Sequence, residues 1–341
     1  MQYLCTYGSG WDKAIKIILS KNYKNLEIKS IGDGIAIFET DELIDPKKLF
    51  FFNNVYVLIK SIKCNTTNFD KNVSTLVNEI RIEYKKIKYY IKKMNSKSFK
   101  IISIDGNQPC KIDYNKVSKL ENNIIMNLGL VVSKKKHDLD FVFLQRTNGM
   151  MYFLLKLSYN RVTEKKIEQG SLRPEVAYLL SSLADIKETD IILDPFTGSG
   201  AIPKEIMKRY KYNMIFASEI DNEKYTKLKK EFKNNSKYFF VKNFDALDMN
   251  FFENNFIDCV VTDPPWNIFE HENKSYTEFY YKMLLELNRI VKPNGKIIIL
   301  MGNENEFEDA LDKIESLKLN DRLSVLINGK KAKVYIIEVF K

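Results

Sequence analysis

From Arg173 to the carboxyl end, short apolar runs alternate with amphipathic stretches, and this alternation leaves the second half of the chain few possible folds. The runs DIILD (190–194), MIFASE (214–219), YFFVKN (238–243), DCVVTD (258–263) and KIIILM (296–301) are brief and rich in branched or aromatic residues, so each reads as a strand. Between them PKEIMKRY (203–210), NEKYTKLKKEFKNN (222–235) and YTEFYYKMLLELNRIV (276–291) carry apolar residues at helical spacing. SLRPEVAYLLSSLA (171–184) adds a helix ahead of the first strand, with Pro174 in its first turn, where a missing N–H is harmless. A helix near 304–317 follows, then RLSVLIN (322–328), a turn at Gly329 and KVYIIEVF (333–340). Strands joined through helices run parallel and bury both faces, so the expected fold is α/β, a doubly wound sheet with one reversed strand in the terminal hairpin.

The first half reads differently. YLCTYG (3–8), GIAIFET (34–40) and VYVLIKSI (55–62) are expected strands, and WDKAIKIILSKNY (11–23) an expected helix. A long basic amphipathic helix is expected over 73–95, and a second helix over about 115–128 with Gly129 as its stop. DLDFVFLQRT (138–147) and MMYFLLKLS (150–158) form an expected hairpin around Asn148-Gly149. The expected division is an N-terminal ferredoxin-like unit (1–62), a second basic module (63–158), a connection (159–172) and the α/β domain (173–341).

Charge separates these halves. Residues 1–150 hold 25 Lys and Arg against 15 Asp and Glu, and residues 151–341 hold 29 of each, so the whole formal excess of +10 lies in the first half. The run RIEYKKIKYYIKKMNSKSFK (81–100) is its densest part. A lysine-rich composition throughout would not produce that split, and a phosphate-binding surface would, so nucleic acid is the expected partner. Four scattered cysteines and two histidines offer no zinc spacing, and no metal is expected. No apolar run reaches the ~20 residues of a membrane span, and MQYLCTYGSGWDKAIK lacks the pattern of a secretory leader. A cytoplasmic location without membrane association is the expectation.

In an open parallel sheet the ligand lies at the carboxyl ends of the strands. The first strand runs into DPFTGSGAIPKE (194–205), where Gly198 and Gly200 allow close approach of the main chain to a ligand. The second ends at Glu219, placed to accept hydrogen bonds from two ribose hydroxyls, with Asp221 as the alternative. The third leads to Asp245, positioned for an adenine amino group, with Asp248 nearby. There is neither a GxxxxGK[ST] run nor the third glycine of a dinucleotide fingerprint. A cofactor with a nucleoside but no pyrophosphate fits better, and S-adenosylmethionine is such a molecule. The fourth strand runs into Asp263-Pro264-Pro265-Trp266. An exocyclic base amine is a weak nucleophile, because its lone pair is delocalised into the ring. Asp263 and the Pro264 carbonyl, held stiffly by the prolines, can accept its hydrogens. Trp266 offers a stacking face, worth about 1–3 kcal/mol.

DPFTGSG, Glu219, Asp245 and DPPW together resemble the motifs of class I S-adenosylmethionine-dependent amino-methyltransferases over about 171–341. More narrowly, GSLRPEVAYLLSSLA feeding DPFTGSG is similar to the THUMP-containing RNA guanine-N2 methyltransferases, and about 96–158 resembles a THUMP domain, a basic α/β module that grips RNA. The resemblance implies a seven-stranded sheet of order 3-2-1-4-5-7-6 with one antiparallel strand, and S-adenosylmethionine as cofactor. It implies a cofactor site of Arg173, Pro174, Asp194, Pro195, Phe196, Thr197, Gly198, Ser199, Gly200, Glu219, Asp245 and Ala246. It places Asp263, Pro264, Pro265 and Trp266 at the target base. The chain departs from many relatives at Thr197, where cysteine is frequent, and at Asn267, where glycine is. Aspartate at 263 argues against the glutamine-methylating enzymes, which use Asn-Pro-Pro-Tyr.

The expected activity is methylation of guanosine N2, in tRNA. The alternatives are an amino-methyltransferase acting on adenine N6 or cytosine N4 in DNA or RNA, and a non-catalytic RNA-binding protein that keeps the fold. The basic first half favours structured RNA, which proteins recognise by shape and backbone. The intact Asp263 and glycine turn favour catalysis.

Overall fold

The computed structural model describes residues 1–23, 25–158, 171–233, 238–266, 276–327 and 329–341. The expected connection at 159–172 lies outside them apart from Ser171 and Leu172, and so do Asn267 and His271. The chain divides into two compact units, Met1–Tyr7 with Asn22–Arg161, and Gly8–Lys21 with Val162–Lys341. Helix α1 (Asp12–Asn22) therefore groups, but for its last residue, with the second unit.

The first unit is built on one sheet. Its strands are β1 (Gln2–Thr6), β2 (Leu26–Gly32), β3 (Ile35–Thr40), β4 (Asn54–Lys63), β5 (Ser98–Asp105), β6 (Gln108–Pro109), β7 (Val131–Val132), β8 (Leu139–Gln145) and β9 (Met150–Lys156). They run in the order β2-β3-β1-β4-β9-β8-β5-β6, with β7 beside β5. β4 pairs antiparallel with β9, so residues from both expected N-terminal modules share this sheet. Every residue of β8 is buried, as befits a central strand, and stacked or tilted rings of Phe141, Phe143 and Phe153 tie it to β9. The hairpin at Asn148-Gly149 forms as expected, with Gly149 at φ 76°.

The long basic helix expected over 73–95 is two helices, α2 (Phe69–Glu79) and α3 (Tyr84–Lys93). Neither glycine nor proline marks the break; Ile80 turns extended at ψ 128° while its side chain stays buried, and the Arg81 guanidinium donates to its carbonyl. Tertiary burial overrides helical periodicity here. α3 buries Ile87, Tyr90 and Ile91 and leaves Lys85, Lys88 and Lys92 in solvent. α4 (Tyr114–Leu128) ends on Gly129 in the left-handed region at φ 66°, the expected stop.

The second unit matches the sequence pattern strand for strand. Helix α5 (Pro174–Leu183) precedes β10 (Ile191–Asp194), α6 (Ala201–Arg209), β11 (Met214–Ser218), α7 (Asn222–Glu231), β12 (Phe239–Lys242), β13 (Ile257–Thr262), α8 (Tyr276–Ile290), β14 (Val291–Met301), α9 (Glu304–Leu311), β15 (Leu317–Ile327) and β16 (Lys330–Val339). The sheet order β12-β11-β10-β13-β14-β16-β15 is 3-2-1-4-5-7-6, and β16 is the one antiparallel strand. The core beside α8 and α9 gathers Leu193, Val260, Tyr280, Met283, Leu287, Ile299, Phe307 and Tyr335. The strand order reverses between β10 and β13, and that switch point fixes where a ligand can enter.

Within this unit the segment before α1 lies tight against β15. Gly10 sits at φ +87°, and a Cβ there would fall 1.8 Å from the Ser324 carbonyl oxygen. Lys13 pairs with Asp321 at 2.6 Å. Left-handed strain and a backbone clash add, so Gly10→Ala is expected to cost more than about 2 kcal/mol. Thermal unfolding of the variant checks this; an unchanged melting temperature would show that the contact is not tight.

Candidate active site

A cavity of about 1080 Å³ opens at the carboxyl ends of β10, β11, β12 and β13. All the expected site residues line it except Pro174 and Gly200. Those two act from behind it. Pro174 opens α5 directly after the lining residue Arg173. Gly200 takes the N-cap of α6 at φ 80°, where a Cβ would come within 3.1 Å of Phe232 and Leu228.

Asp194 anchors the first loop. Its Oδ1 accepts from the Thr262 hydroxyl at 2.8 Å and the Phe196 amide at 3.3 Å, and its main-chain carbonyl accepts from the Thr197 hydroxyl. Oδ2 is buried without a hydrogen-bond partner. A buried polar atom left unsatisfied is costly, so an orphan on a cavity-lining residue marks a place for a ligand donor. Burial pushes the carboxyl up to about 7, with the Glu219 charge adding to the rise.

Glu219 ties two loops together: Oε2 accepts from the Gly198 amide at 3.1 Å and Oε1 from the Asp221 amide at 3.0 Å. Asn243 secures the same turn by donating to the Glu219 and Ile220 carbonyls. Asp221 is committed elsewhere, because its Oδ1 caps α7 by accepting from the Glu223 and Lys224 amides, both at 2.9 Å. Asp245 lines the cavity and accepts from the Leu247 amide at 2.9 Å, whereas Asp248 is not part of the lining.

Asp263 follows β13. Its Oδ1 accepts from the indole N–H of Trp266 at 3.1 Å. Burial, and after it the Asp194 charge, raise its carboxyl to about 7 against the opposing indole bond. Trp266 is therefore not only a flat face: its N–H holds the carboxylate beside it, a role that sequence reasoning did not supply.

Several cavity residues had no counterpart among the expected ones. Ile220 is 62% exposed directly after Glu219, an apolar residue in a turn where polar ones are usual, and that anomaly is a readable signal. Phe279 packs beside Phe196 with ring centroids 6.2 Å apart. Ile327 and Lys330 arrive from the β15–β16 turn, far away in sequence, and nothing local marks them. The lining combines six carboxylates (Asp194, Glu219, Asp221, Asp245, Asp263 and Glu278) with four cationic residues, Arg173, Lys224, Lys282 and Lys330. Among the described residues no group of His, Cys, Asp and Glu is placed to hold a metal.

A reversed-strand seven-stranded sheet with an acidic cavity at its switch point defines the class I methyltransferase fold. Residues 161–331, half of the chain, match the family described as RMKL-like, methyltransferase domain, and the chain belongs to that family. It is 24% identical over 204 residues to the tRNA (guanine(6)-N2)-methyltransferase of Methanocaldococcus jannaschii, covering 49% of this chain and 53% of that one. It is 29% identical over 171 residues to the tRNA (guanine(10)-N2)-dimethyltransferase of the same organism, covering 47% and 46%. The chain thus spans about half the length of these curated relatives. The crystal structure of TrmN from Thermus thermophilus shares the fold, with a TM-score of 0.73 at 16% identity and coverage of 100% of both chains.

The Asp194–Asp263 pair gives a pH test. Both carboxyls keep their protons in the fold at pH values where an unfolded aspartate, with a pKa of about 3.9, has lost them. Their stabilising contribution is full below about pH 4 and is lost as pH rises through about 7. The melting temperature of ligand-free wild type is expected to fall more steeply between pH 5 and 8 than that of Asp194→Asn. The difference in slope is at most about 1.4 kcal/mol per pH unit. Parallel profiles would mean that Asp194 titrates normally.

Proposed function

We propose that the protein is an S-adenosylmethionine-dependent RNA methyltransferase that methylates the exocyclic N2 amine of a guanosine in tRNA. The observation that carries the reading is the pairing of Asp194, with its orphan oxygen, and the Trp266-held Asp263 at the ends of adjacent strands. The matched relatives named for guanine-N2 methylation of tRNA support the choice of base and RNA.

The residues present suit the cofactor. Asp194 Oδ2 lacks a donor and would take the ammonium of the methionine part. Glu219, fixed by two amides, would accept from the ribose hydroxyls. Ile220 and Leu247 supply apolar surface for an adenine, with Asp245 and Ala246 beside its amino group. When bound, S-adenosylmethionine supplies a methyl group on a positively charged sulfur, and the C–S bond breaks as the new N–C bond forms. Six carboxylates around the cavity, against four cationic residues, favour a ligand that carries positive charge.

Asp263 works on the amine. No described hydrogen bond engages its Oδ2, which can accept an N–H of the base, draw electron density toward nitrogen, and take up the proton released on methylation. A carboxyl with its pKa near 7 can lose and regain that proton at neutral pH. Pro264 and Pro265 fix the main chain between Asp263 and Trp266, so positioning contributes much of the acceleration. The cationic rim suits the phosphates of an RNA strand.

RNA binding is assigned to the basic first half. Residues 63–158 would act as a THUMP-like module beside the ferredoxin-like residues 1–62, with the lysine face of α3 contributing phosphate contacts. Residues 173–341 would carry catalysis.

The test is incubation with labelled S-adenosylmethionine and unmodified tRNA, followed by mass spectrometry of the nucleosides. N2-methylated guanosine is the expected product; label on adenine or cytosine would overturn the base assignment, and no label would overturn the activity. Asp263→Ala is expected to lower kcat at least about 100-fold while cofactor affinity stays within twofold. Binding of tRNA should weaken steeply between about 50 and 200 mM salt. A flat salt response would rule out phosphate contacts as the main source of affinity.

A further inference from the structure

The loop after β14 contains Gly302 and Asn303, about forty residues beyond Asp263 in sequence, yet both press on Trp266. A Cβ on Gly302 would lie 2.6 Å from Cε3 and 2.7 Å from Cδ2 of the indole, so the ring rests directly on that backbone. Glycine is required there by space alone, since no left-handed φ is involved. Asn303 donates from Nδ2 to the Trp266 carbonyl at 2.5 Å and to the Tyr280 hydroxyl at 3.0 Å.

Asn303 also occupies the N-cap position of α9, where its side chain makes no capping bond. Asparagine is among the best capping residues, and here its amide is turned away to Trp266 and Tyr280 instead. Tyr280 is fully buried, and its ring packs against Phe279, Phe307 and Tyr276. A chain of contacts thus runs from the rigid core through Tyr280 and Asn303 to Trp266, and through the indole N–H to Asp263.

We propose that Gly302 and Asn303 are positioning residues: they lock Trp266 so that its indole N–H holds the Asp263 carboxylate in one orientation toward the target amine. The catalytic consequence rests on the proposed reaction, but the lock itself does not. Without it, Trp266 is free to swing, and Asp263 loses the donor that fixes its rotamer. A misplacement of about 1 Å at such a group can cost about 100-fold in rate.

The experiment uses the full chain. The protein has two tryptophans, so Trp11→Phe leaves Trp266 as the sole reporter. Its emission is expected to titrate with a midpoint near pH 7, as the hydrogen-bonded Asp263 ionises. Asn303→Ala and Gly302→Ala should each shift the emission to the red and abolish that titration. In the wild-type background the same changes should lower kcat by about 100-fold with an unaltered KM for the cofactor. Trp266→Phe keeps a flat ring but loses the N–H, and should move the pH–rate profile to higher pH. Unchanged emission and titration in Asn303→Ala and Gly302→Ala would overturn the lock. So would a Trp266→Phe enzyme with wild-type rate and pH profile. If the emission responds as stated but no variant or wild-type protein transfers methyl groups, the lock stands and the proposed reaction falls.

Discussion

A single hydrogen bond from the Thr262 hydroxyl to the buried carboxylate of Asp194 joins the ends of the two strands between which the sheet reverses its order. β10 and β13 are parallel neighbours, so their carboxyl ends emerge side by side; β10 ends in Asp194, and Asp263 directly follows β13. The bond satisfies one oxygen of Asp194, a residue of the cavity lining, and leaves the other buried without a partner among the described residues. Asp194 lies close enough to Asp263 for its charge to resist ionisation of the Asp263 carboxyl. Two carboxyls with protons near neutrality, a few residues from a glycine loop, are costly for a ligand-free fold. That cost makes sense if a cation and an amine complete the site, because strain stored at a functional position is relieved by what binds there.

Charge is divided unevenly along the chain. Carboxylates line the cavity together with lysines from α7, α8 and the start of β16 and Arg173 from the N-cap of α5, and the formal excess of positive charge belongs to residues 1–150. The two proposed ligands, a cationic nucleoside and an anionic nucleic acid, ask for opposite fields, and the carboxylate-rich cavity and the basic first half differ in that sense. The basic half is where long-range attraction to a polyanion would act.

Much of this was legible in the sequence because it depends on local rules. The strands of the second unit are short apolar runs with helices between them, and all were readable by period. Gly129 and Asn148-Gly149 stop a helix and turn a hairpin through backbone angles that few other residues adopt. The Asp33-Gly34 pair carries the same hairpin signal, with φ of 52° and 72°, and would have revealed β2, an edge strand whose half-exposed residues show no clean pattern. Asp221 directly precedes a helical run, and reading it as a cap would have separated it from Glu219 without coordinates. Other features had no local signature. The break at Ile80 follows from burial, not from a breaking residue. The grip of Asn303 and Gly302 on Trp266 depends on β14 lying beside β13, and only the folded sheet brings them together.

The claim that Asp194 keeps a proton near neutrality until a cation binds is tested most directly by calorimetry of S-adenosylmethionine binding at pH 7 in buffers of differing ionisation enthalpy. If the ammonium of the ligand takes the unpartnered oxygen, Asp194 must ionise fully, and up to about half a proton is released from it per ligand bound. The Asp194→Asn protein should release none. Tight binding with no proton release in the wild type, or the same release in the variant, would contradict the account.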